Sequence, residues 1–309
     1  MDATRSSTVP PIDGAARACE AHPATPSPLA FVPHAAPLVP GVLVDRYDRF
    51  IAEVRLDEGR AVRAHCVNPG RMEGLVRPGA RVWLLPAPPN AKRKLRWTWE
   101  LAEDQEVIGP RAGAPAIVGA NTVVPNRLVA ALLAARTWPG FRRYRGVRSE
   151  VRYGERSRVD FVVDRAAGPH YLEVKNCHLV YPDGRAYFPD SVSVRAAGHL
   201  AELAALAREG ARASVVFTVQ RPEPIRAVRP SMLHDPAFAE AAREAGAAGV
   251  RFRAVQVVPN LAGYAITREL AVDLRAYDPA PLARFRDARL PESGWRADPR
   301  RAAQAPSSP

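Results

Sequence analysis

Two short stretches in the middle of the chain, Arg158-Val159-Asp160-Phe161 and Leu172-Glu173-Val174-Lys175, carry its clearest chemical signal. If residues 165–169 form the turn of a hairpin, Asp160 faces Glu173 on the neighbouring strand, with Cβ atoms ~5 Å apart. Glu173 and Lys175 are two residues apart on one strand, so their side chains leave the same face. The spacing therefore predicts that two carboxylates and one ammonium group converge on one point.

Such a set of groups is suited to metal-dependent hydrolysis. Two carboxylates can hold Mg²⁺ or Mn²⁺, which takes phosphate oxygens as further ligands, and a lysine beside them can orient or deprotonate a water molecule. Lysine is scarce in this chain (Lys92, Lys94 and Lys175), and unlike arginine it can lose its proton. The alternative is a charged hairpin with three solvated side chains. The apolar neighbours Val159 and Phe161, whose side chains occupy the opposite face, favour the metal site.

Around these stretches the pattern is that of a mixed α/β domain. From residue 121 to about 272, the apolar periodicity predicts a helix, three strands, a helix and a strand, followed by one more helix and one more strand. The predicted strands are 147–153, 159–163, 171–174, 214–219 and 250–258. The predicted helices are 125–135, 192–208 and one that opens at Asp235-Pro236.

The preceding segment reads as a small β-barrel of the OB-fold type. Phe50, Ala52, Val54 and Leu56 alternate with charged residues, and Asp57-Glu58-Gly59 then turns the chain into a second alternating run. Further strands are predicted at 80–85, 95–102 and 117–118. Several short strands with turn signals between them are typical of such a barrel.

Length and composition set the domain boundaries. The 309 residues give a prior of about two domains. We predict an OB-fold-like domain at 41–119 and a mixed α/β domain at 120–275. The flanking Pro- and Ala-rich segments 1–40 and 276–309 are predicted to be disordered. No apolar run approaches the ~20 residues of a membrane span, no secretory leader is visible, and three scattered cysteines indicate a cytoplasmic protein.

The charge distribution points to nucleic acid as the partner. The net charge is +12, and two segments, 71–100 with seven basic residues and two acids and 136–158 with eight and two, carry nearly all of the excess. The candidate DNA contacts are Arg71, Lys92, Arg93, Lys94, Arg96, Arg142, Arg143 and Arg145. Trp97 and Trp99 could stack on bases, but they share a face with Leu95 and Leu101, which favours the barrel core.

Three further features have two interpretations each. Glu150 is either an extra metal ligand or a surface partner of Arg148 and Arg152, and Gln220 either lies beside the metal or simply closes an apolar strand. Asn68-Pro69-Gly70 is either a tight turn or, with Arg71, a backbone nest for phosphate.

The chain resembles the sugar fermentation stimulation protein A (SfsA) family from about residue 41 to 260. The matching stretches run in order through 65–72, 97–100, 121–127, 150–154, 158–161, 173–175, 188–190 and 219–222. The resemblance implies an OB-like domain, a restriction-endonuclease-like PD-(D/E)xK core, non-specific DNA binding and a role in sugar (maltose) use. Two stretches depart from the expected pattern, namely Asn176-Cys177-His178 and the weakly basic segment 193–199.

The sequence is therefore compatible with two alternative functions. The first is a DNA-binding protein with a Mg²⁺-dependent nuclease site formed by Asp160, Glu173 and Lys175. The second is a DNA-binding regulator of sugar-metabolism genes that uses the same fold without cutting. A sugar-handling enzyme is disfavoured, because the sequence contains no Gly-rich phosphate loop and no pair of carboxylates flanked by aromatic residues.

Overall fold

A computed structural model describes residues 27–104, 115–153, 157–290 and 294–302. In these ranges the chain forms a small barrel followed by a larger sheet with helices against it. The barrel strands are β2 (Val39–Tyr47), β3 (Ile51–Leu56), β4 (Ala61–His65), β5 (Arg81–Pro86) and β6 (Trp97–Asp104), and β7 (Ala116–Gly119) extends the sheet from β6.

The barrel closes in the manner predicted for an OB-like fold. Its strands follow the order β4-β3-β2-β5-β6, and a short parallel pairing of β4 with β6 joins the two ends. Alternation in β3 places Ala52, Val54 and Leu56 inside, where they pack with Trp99 and Met72. Trp99 is therefore a core residue as predicted, whereas Trp97 is partly exposed.

The second domain is built on a mixed sheet. Its strands are β1 (Ala30–Pro33), β8 (Gly146–Tyr153), β9 (Ser157–Arg165), β10 (Gly168–Cys177), β11 (Leu179–Tyr181), β12 (Arg185–Phe188), β13 (Arg212–Gln220), β14 (Ala227–Pro230), β15 (Arg251–Pro259) and β16 (Gly263–Val272). At the centre, β10, β13 and β15 run parallel, and β9 and β8 continue antiparallel from β10. This arrangement confirms the predicted mixed α/β class.

Five helices accompany the strands in the described ranges. They are α1 (Val124–Ala135), α2 (Val194–Arg208), α3 (Pro236–Ala247), α4 (Ala280–Arg289) and α5 (Pro299–Ala302). The Ser193 side chain caps α2 by accepting from the amide of Ala196, and Asp235 caps α3 by accepting from the amide of Phe238. None of the described helices is long and apolar enough to cross a membrane.

The predicted disorder of the flanking segments is wrong for the parts that the structure describes. In segment 1–40, β1 pairs antiparallel with β16, because Ala30–Pro33 finds an unpaired strand edge there. In segment 276–309, α4 packs its buried Leu282 in a cluster with Tyr181 and Tyr187. Residues 1–26 and 303–309 lie outside the described residues.

Buried polar contacts fasten the barrel to the second domain. Arg221, which follows β13, donates to Asp104 of β6 at 2.7 Å and also pairs with Glu223, and all three side chains are buried. Asp190 accepts from the amide of Met72 at 2.8 Å. Gly70 is required at this contact, because a Cβ there would lie 2.4 Å from Oδ1 of Asp190. The barrel is thus fixed against the sheet that carries the candidate site.

Candidate metal centre and active-site cleft

The β9–β10 hairpin brings the three predicted chemical residues together. The strands pair antiparallel as far as Phe161 opposite Leu172, and Asp160 and Glu173 are the next residues along the two strands. Apolar residues on either side, including Val159 and Leu172, are buried in the domain core and fix the hairpin in the sheet. The sequence-based prediction of the hairpin geometry therefore matches the structure.

Asp160 is held by neutral donors. Its Oδ1 accepts from Nδ2 of Asn126 at 2.8 Å, and its Oδ2 accepts from the amide of Val174 at 2.7 Å. Asn126 lies in the first turn of α1, so that helix helps to orient the carboxylate. Burial and then the neighbouring charge of Glu173 raise the pKa of Asp160, and these two donors offset only part of that effect.

Glu173 carries the ionic contacts of the site. Its Oε1 accepts from Nζ of Lys175 at 2.6 Å and also contacts Nδ1 of His199 on α2. Burial alone would raise the pKa of Glu173, but His199 and Lys175 together outweigh it and hold this pKa below its ordinary value. The surroundings thus stabilise the charged form of Glu173 and disfavour the charged form of Asp160.

The residues present fit a divalent cation. Oε2 of Glu173 is buried and has no hydrogen-bond partner in the described part of the chain. A cation between this oxygen and Asp160 would satisfy it and relieve the repulsion between the two carboxylates. No group of three or more His, Cys, Asp or Glu side chains suited to a metal occurs among the described residues. The Asp160–Glu173 pair is compatible with Mg²⁺, because that cation needs only one or two carboxylates besides water and phosphate oxygens.

These side chains open into a cleft of about 1290 Å³. Four exposed arginines line it, namely Arg127, Arg152, Arg158 and Arg195. The cleft thus combines the carboxylate pair with four guanidinium groups that can bind anionic oxygens.

The two residues with a proposed auxiliary metal role lie in different places. Glu150 lines the cleft and has a left-handed backbone (φ +53°), and Arg148 pairs instead with Asp164 at 2.9 Å. Gln220 is fully buried, and its Nε2 donates to Oδ1 of Asn176, a residue of the cleft lining, at 2.5 Å. Glu150 thus shares the cleft with Asp160, whereas Gln220 contacts it through Asn176.

The predicted DNA contacts are exposed but do not form the lining of this cleft. Lys92, Arg93, Lys94 and Arg96 lie between β5 and β6, and Arg142, Arg143 and Arg145 lie between α1 and β8. The Arg96 guanidinium donates to loop carbonyls, among them that of Pro88 at 2.6 Å, so it also stabilises its own loop. Arg71 lines an adjoining interdomain groove of about 830 Å³, which shares Lys175 and Arg195 with the cleft.

The Asn68-Pro69-Gly70 stretch forms the turn that was one of its two interpretations. Oδ1 of Asn68 accepts from the amide of Gly70 at 2.9 Å. The buried Arg46 guanidinium donates to the carbonyls of Asn68 and Gly70 at 2.6 and 2.9 Å. A residue of β2 therefore holds the turn from within.

Comparison with known proteins identifies the family. A family model described as "Sugar fermentation stimulation protein RE domain" matches residues 123–263, and one described as "SfsA N-terminal OB domain" matches residues 44–109. The chain belongs to the SfsA family. The sugar fermentation stimulation protein homolog of Methylobacterium radiotolerans is 48% identical over 240 residues, covering 77% of this chain and 97% of the relative. That of Thioalkalivibrio sulfidiphilus is 41% identical over 244 residues, covering 77% and 96%.

A solved SfsA structure has the same fold. SfsA of Pyrococcus furiosus, solved in complex with Ca²⁺, superposes with a TM-score of 0.69 and 29% identity, covering 80% of this chain and 99% of that one. Together with the matched OB domain, this confirms the predicted family and the OB-like barrel followed by a sheet-dominated domain.

Sequence reasoning missed several residues of the site. His199 and Arg195 come from α2, and Asn126 and Arg127 come from the start of α1. A signal existed for the second pair, because Pro125 marks the first turn of a helix that must pack near the hairpin. No spacing rule relates His199 to Glu173, because the two residues lie on elements that meet only in the folded domain.

Proposed function

We propose that this SfsA-family chain is a phosphodiesterase that acts on DNA and depends on Mg²⁺ or Mn²⁺. The observation that carries the proposal is the state of Glu173. One of its oxygens is held by Lys175 and His199, and the other, which is buried, has no hydrogen-bond partner among the described residues. Groups left unsatisfied at a cleft wall support a ligand role over a purely structural one.

Asp160 and Glu173 would hold the cation, with Glu150 as a further oxygen donor from the same cleft. A bound divalent cation supplies Lewis-acid polarisation of a phosphate oxygen and neutralises developing charge. Lys175 has its ammonium group next to Glu173, where it can hold the attacking water and accept or return a proton. Asn126 and His199 keep the two carboxylates oriented.

A phosphodiester backbone fits the rest of the cleft. Arg127, Arg152, Arg158 and Arg195 line it, and arginine is well suited to phosphate oxygens because its planar fork donates two parallel hydrogen bonds. The net charge of +12 favours a polyanionic substrate over a small neutral one. The Pyrococcus furiosus relative was solved with Ca²⁺, a cation that takes oxygen ligands, and this supports cation binding by the matching domain here.

The test is cleavage of plasmid and oligonucleotide DNA with Mg²⁺ or Mn²⁺. The wild-type protein is compared with Asp160→Asn and Lys175→Met. Asp164→Asn is the matched control, because Asp164 lies on the same strand but pairs with Arg148 at the surface. We expect product with the wild type and the control only.

Equal cleavage by all four proteins would point to a contaminating nuclease and overturn the proposal. DNA binding with a steep salt dependence but no metal-dependent product would leave the second function, a non-catalytic regulator.

A further inference from the structure

A second cleft lies away from the candidate metal centre, at the start of the central parallel strands. It has a volume of about 500 Å³ and is lined by His170 of β10, Ser214 of β13 and Arg251 of β15, together with Phe141 and Arg165. His170 and Lys175 are on one strand, but they line different clefts. Neither the sequence motifs nor the proposed hydrolysis uses this cleft.

His170 is the unusual residue in it. Only 3% of its surface is exposed, its Nε2 lies 2.8 Å from Oγ of Ser214, and its Nδ1 has no hydrogen-bond partner among the described residues. Burial and then the charges of nearby arginines lower the pKa of His170 to about 4, so the ring is neutral. When the Ser214 hydroxyl donates to Nε2, the ring hydrogen is on Nδ1, which is then a buried donor without an acceptor.

Two arginines in the lining have no acidic partner in the described ranges. They are Arg165, which lies over the Phe141 ring, and the exposed Arg251. The nearby carboxylates are occupied elsewhere, since Glu269 pairs with Arg253 and Asp164 with Arg148.

Arg253 contributes a fixed wall to the same cleft. Its guanidinium donates to the carbonyl of Pro139 at 2.8 Å and stacks on Trp138 at 4.2 Å from the ring centroid. The cleft therefore combines positive charge with a buried imidazole nitrogen that has no partner, and none of the described residues in its lining is acidic.

We propose that this cleft is a binding site for a small phosphate-bearing anion. The guanidinium groups of Arg165 and Arg251 match the oxygens of a phosphate, and Nδ1 of His170 completes the donor set. Its volume lies within the range of small-molecule sites, ~300 to 1,000 Å³. The depth of the cleft favours a free phosphate group over a DNA backbone, because its residues Ser214 and His170 are both buried.

The test is calorimetric titration with inorganic phosphate. We expect saturable binding to the wild type and about tenfold or greater weakening in Arg165→Ala and in Arg251→Ala. Arg212→Ala is the matched control. Arg212 is exposed and its charge contributes to the lowered pKa of His170, but it does not line the cleft. It should weaken binding by no more than about twofold.

A second readout reports on the base of the cleft. The ring ¹⁵N resonances of His170, assigned by comparison with His170→Gln, should shift on phosphate addition in the wild type and in Arg212→Ala. Absence of saturable binding, or equal weakening in all three arginine variants, would overturn the proposal. So would displacement of phosphate by a DNA duplex with unphosphorylated ends, which would assign the cleft to the DNA backbone.

Discussion

Two buried clusters in this molecule contain the same charges, one cation and two carboxylates, but they differ in how these are paired. In the interdomain cluster, Arg221 donates to both Asp104 and Glu223. Burial alone would lower the pKa of Arg221, yet the two carboxylates outweigh it and raise that pKa. At the cleft, Lys175 pairs with Glu173 alone, and Asp160 is held by neutral donors.

The two clusters differ in how completely the protein itself pairs their charges. A planar guanidinium can satisfy two carboxylates at once, whereas an ammonium group is a compact point charge. The first cluster is complete without a ligand. The second retains a buried Glu173 oxygen that has no partner in the described part of the chain, and the Asp160 carboxylate, whose pKa is raised. A cation would relieve both.

The largest effect is expected for a substitution of Asp160. Asp160→Asn should lower the cleavage rate by about 10³- to 10⁴-fold, because the carboxylate pair is lost. It should not lower the free energy of unfolding, because burial and Glu173 already disfavour the Asp160 charge. Cleavage kinetics and urea denaturation of the same samples test both statements. A large loss of stability would mean that Asp160 is structural.

The opposite result is expected for the interdomain cluster. Arg221→Met leaves the buried Glu223 carboxylate without the guanidinium it pairs with and removes a buried donor to Asp104, and it should lower the free energy of unfolding by about 3–5 kcal/mol. Arg226→Met, at an exposed position five residues further on, is the control. Urea denaturation at neutral pH measures the difference, and similar stability of the two variants would contradict the assignment.

A third carboxylate, that of Asp190, makes the stability of the protein depend on pH. Burial would raise the pKa of Asp190, but His178 and the amide of Met72 outweigh it and lower this pKa to about 2. Because the folded-state pKa is the lower one, Asp190 adds stability that is present above its unfolded pKa and lost as pH falls toward 2. The contribution is about 2 kcal/mol.

Asp190→Asn should therefore flatten the loss of stability between about pH 4 and pH 2. The exposed Asp57→Asn is the charge-matched control. Denaturation midpoints measured across this range decide the matter, and parallel curves for the wild type and Asp190→Asn would exclude the role.

The smallest expected effect is stabilisation by the metal itself. At ten times its Kd, Mg²⁺ should add about 1.4 kcal/mol to the free energy of unfolding of the wild type. Asp160→Asn should show no such gain, while Arg226→Met should keep it. Thermal melts with and without Mg²⁺ measure the gain, and an equal rise of Tm in Asp160→Asn would place the cation elsewhere.

Whether a feature of the fold or of the site could be predicted from the sequence depends on how local its contacts are. The hairpin that carries Asp160 and Glu173 depends on two neighbouring strands and one turn, so alternation in the sequence specifies it. The position of His199 depends on how α2 packs, which no local pattern encodes. The same holds for β1, whose strand conformation depends on pairing with residues 263–266.

The barrel surface shows a second limit. Trp97 and Trp99 share the predicted core face of β6, so Thr98 and Glu100 lie on the opposite face of that strand, yet both are buried. The second domain covers Glu100, which accepts from Asn121 and Tyr264 at 2.7 and 2.9 Å. A strand buried on both faces loses the polar alternation from which its exposure could be read.

Gly70 and Gly119 limit how the sequence at the junction of the two domains can change. A methyl group at residue 119 would lie 2.0 Å from Oε1 of Gln220, just as one at residue 70 would collide with Asp190. Each glycine belongs to one domain while the atom it leaves room for belongs to the other. Sequence changes in the barrel are therefore coupled to changes in the second domain, and grafting either domain onto a foreign partner would need both contacts to be rebuilt.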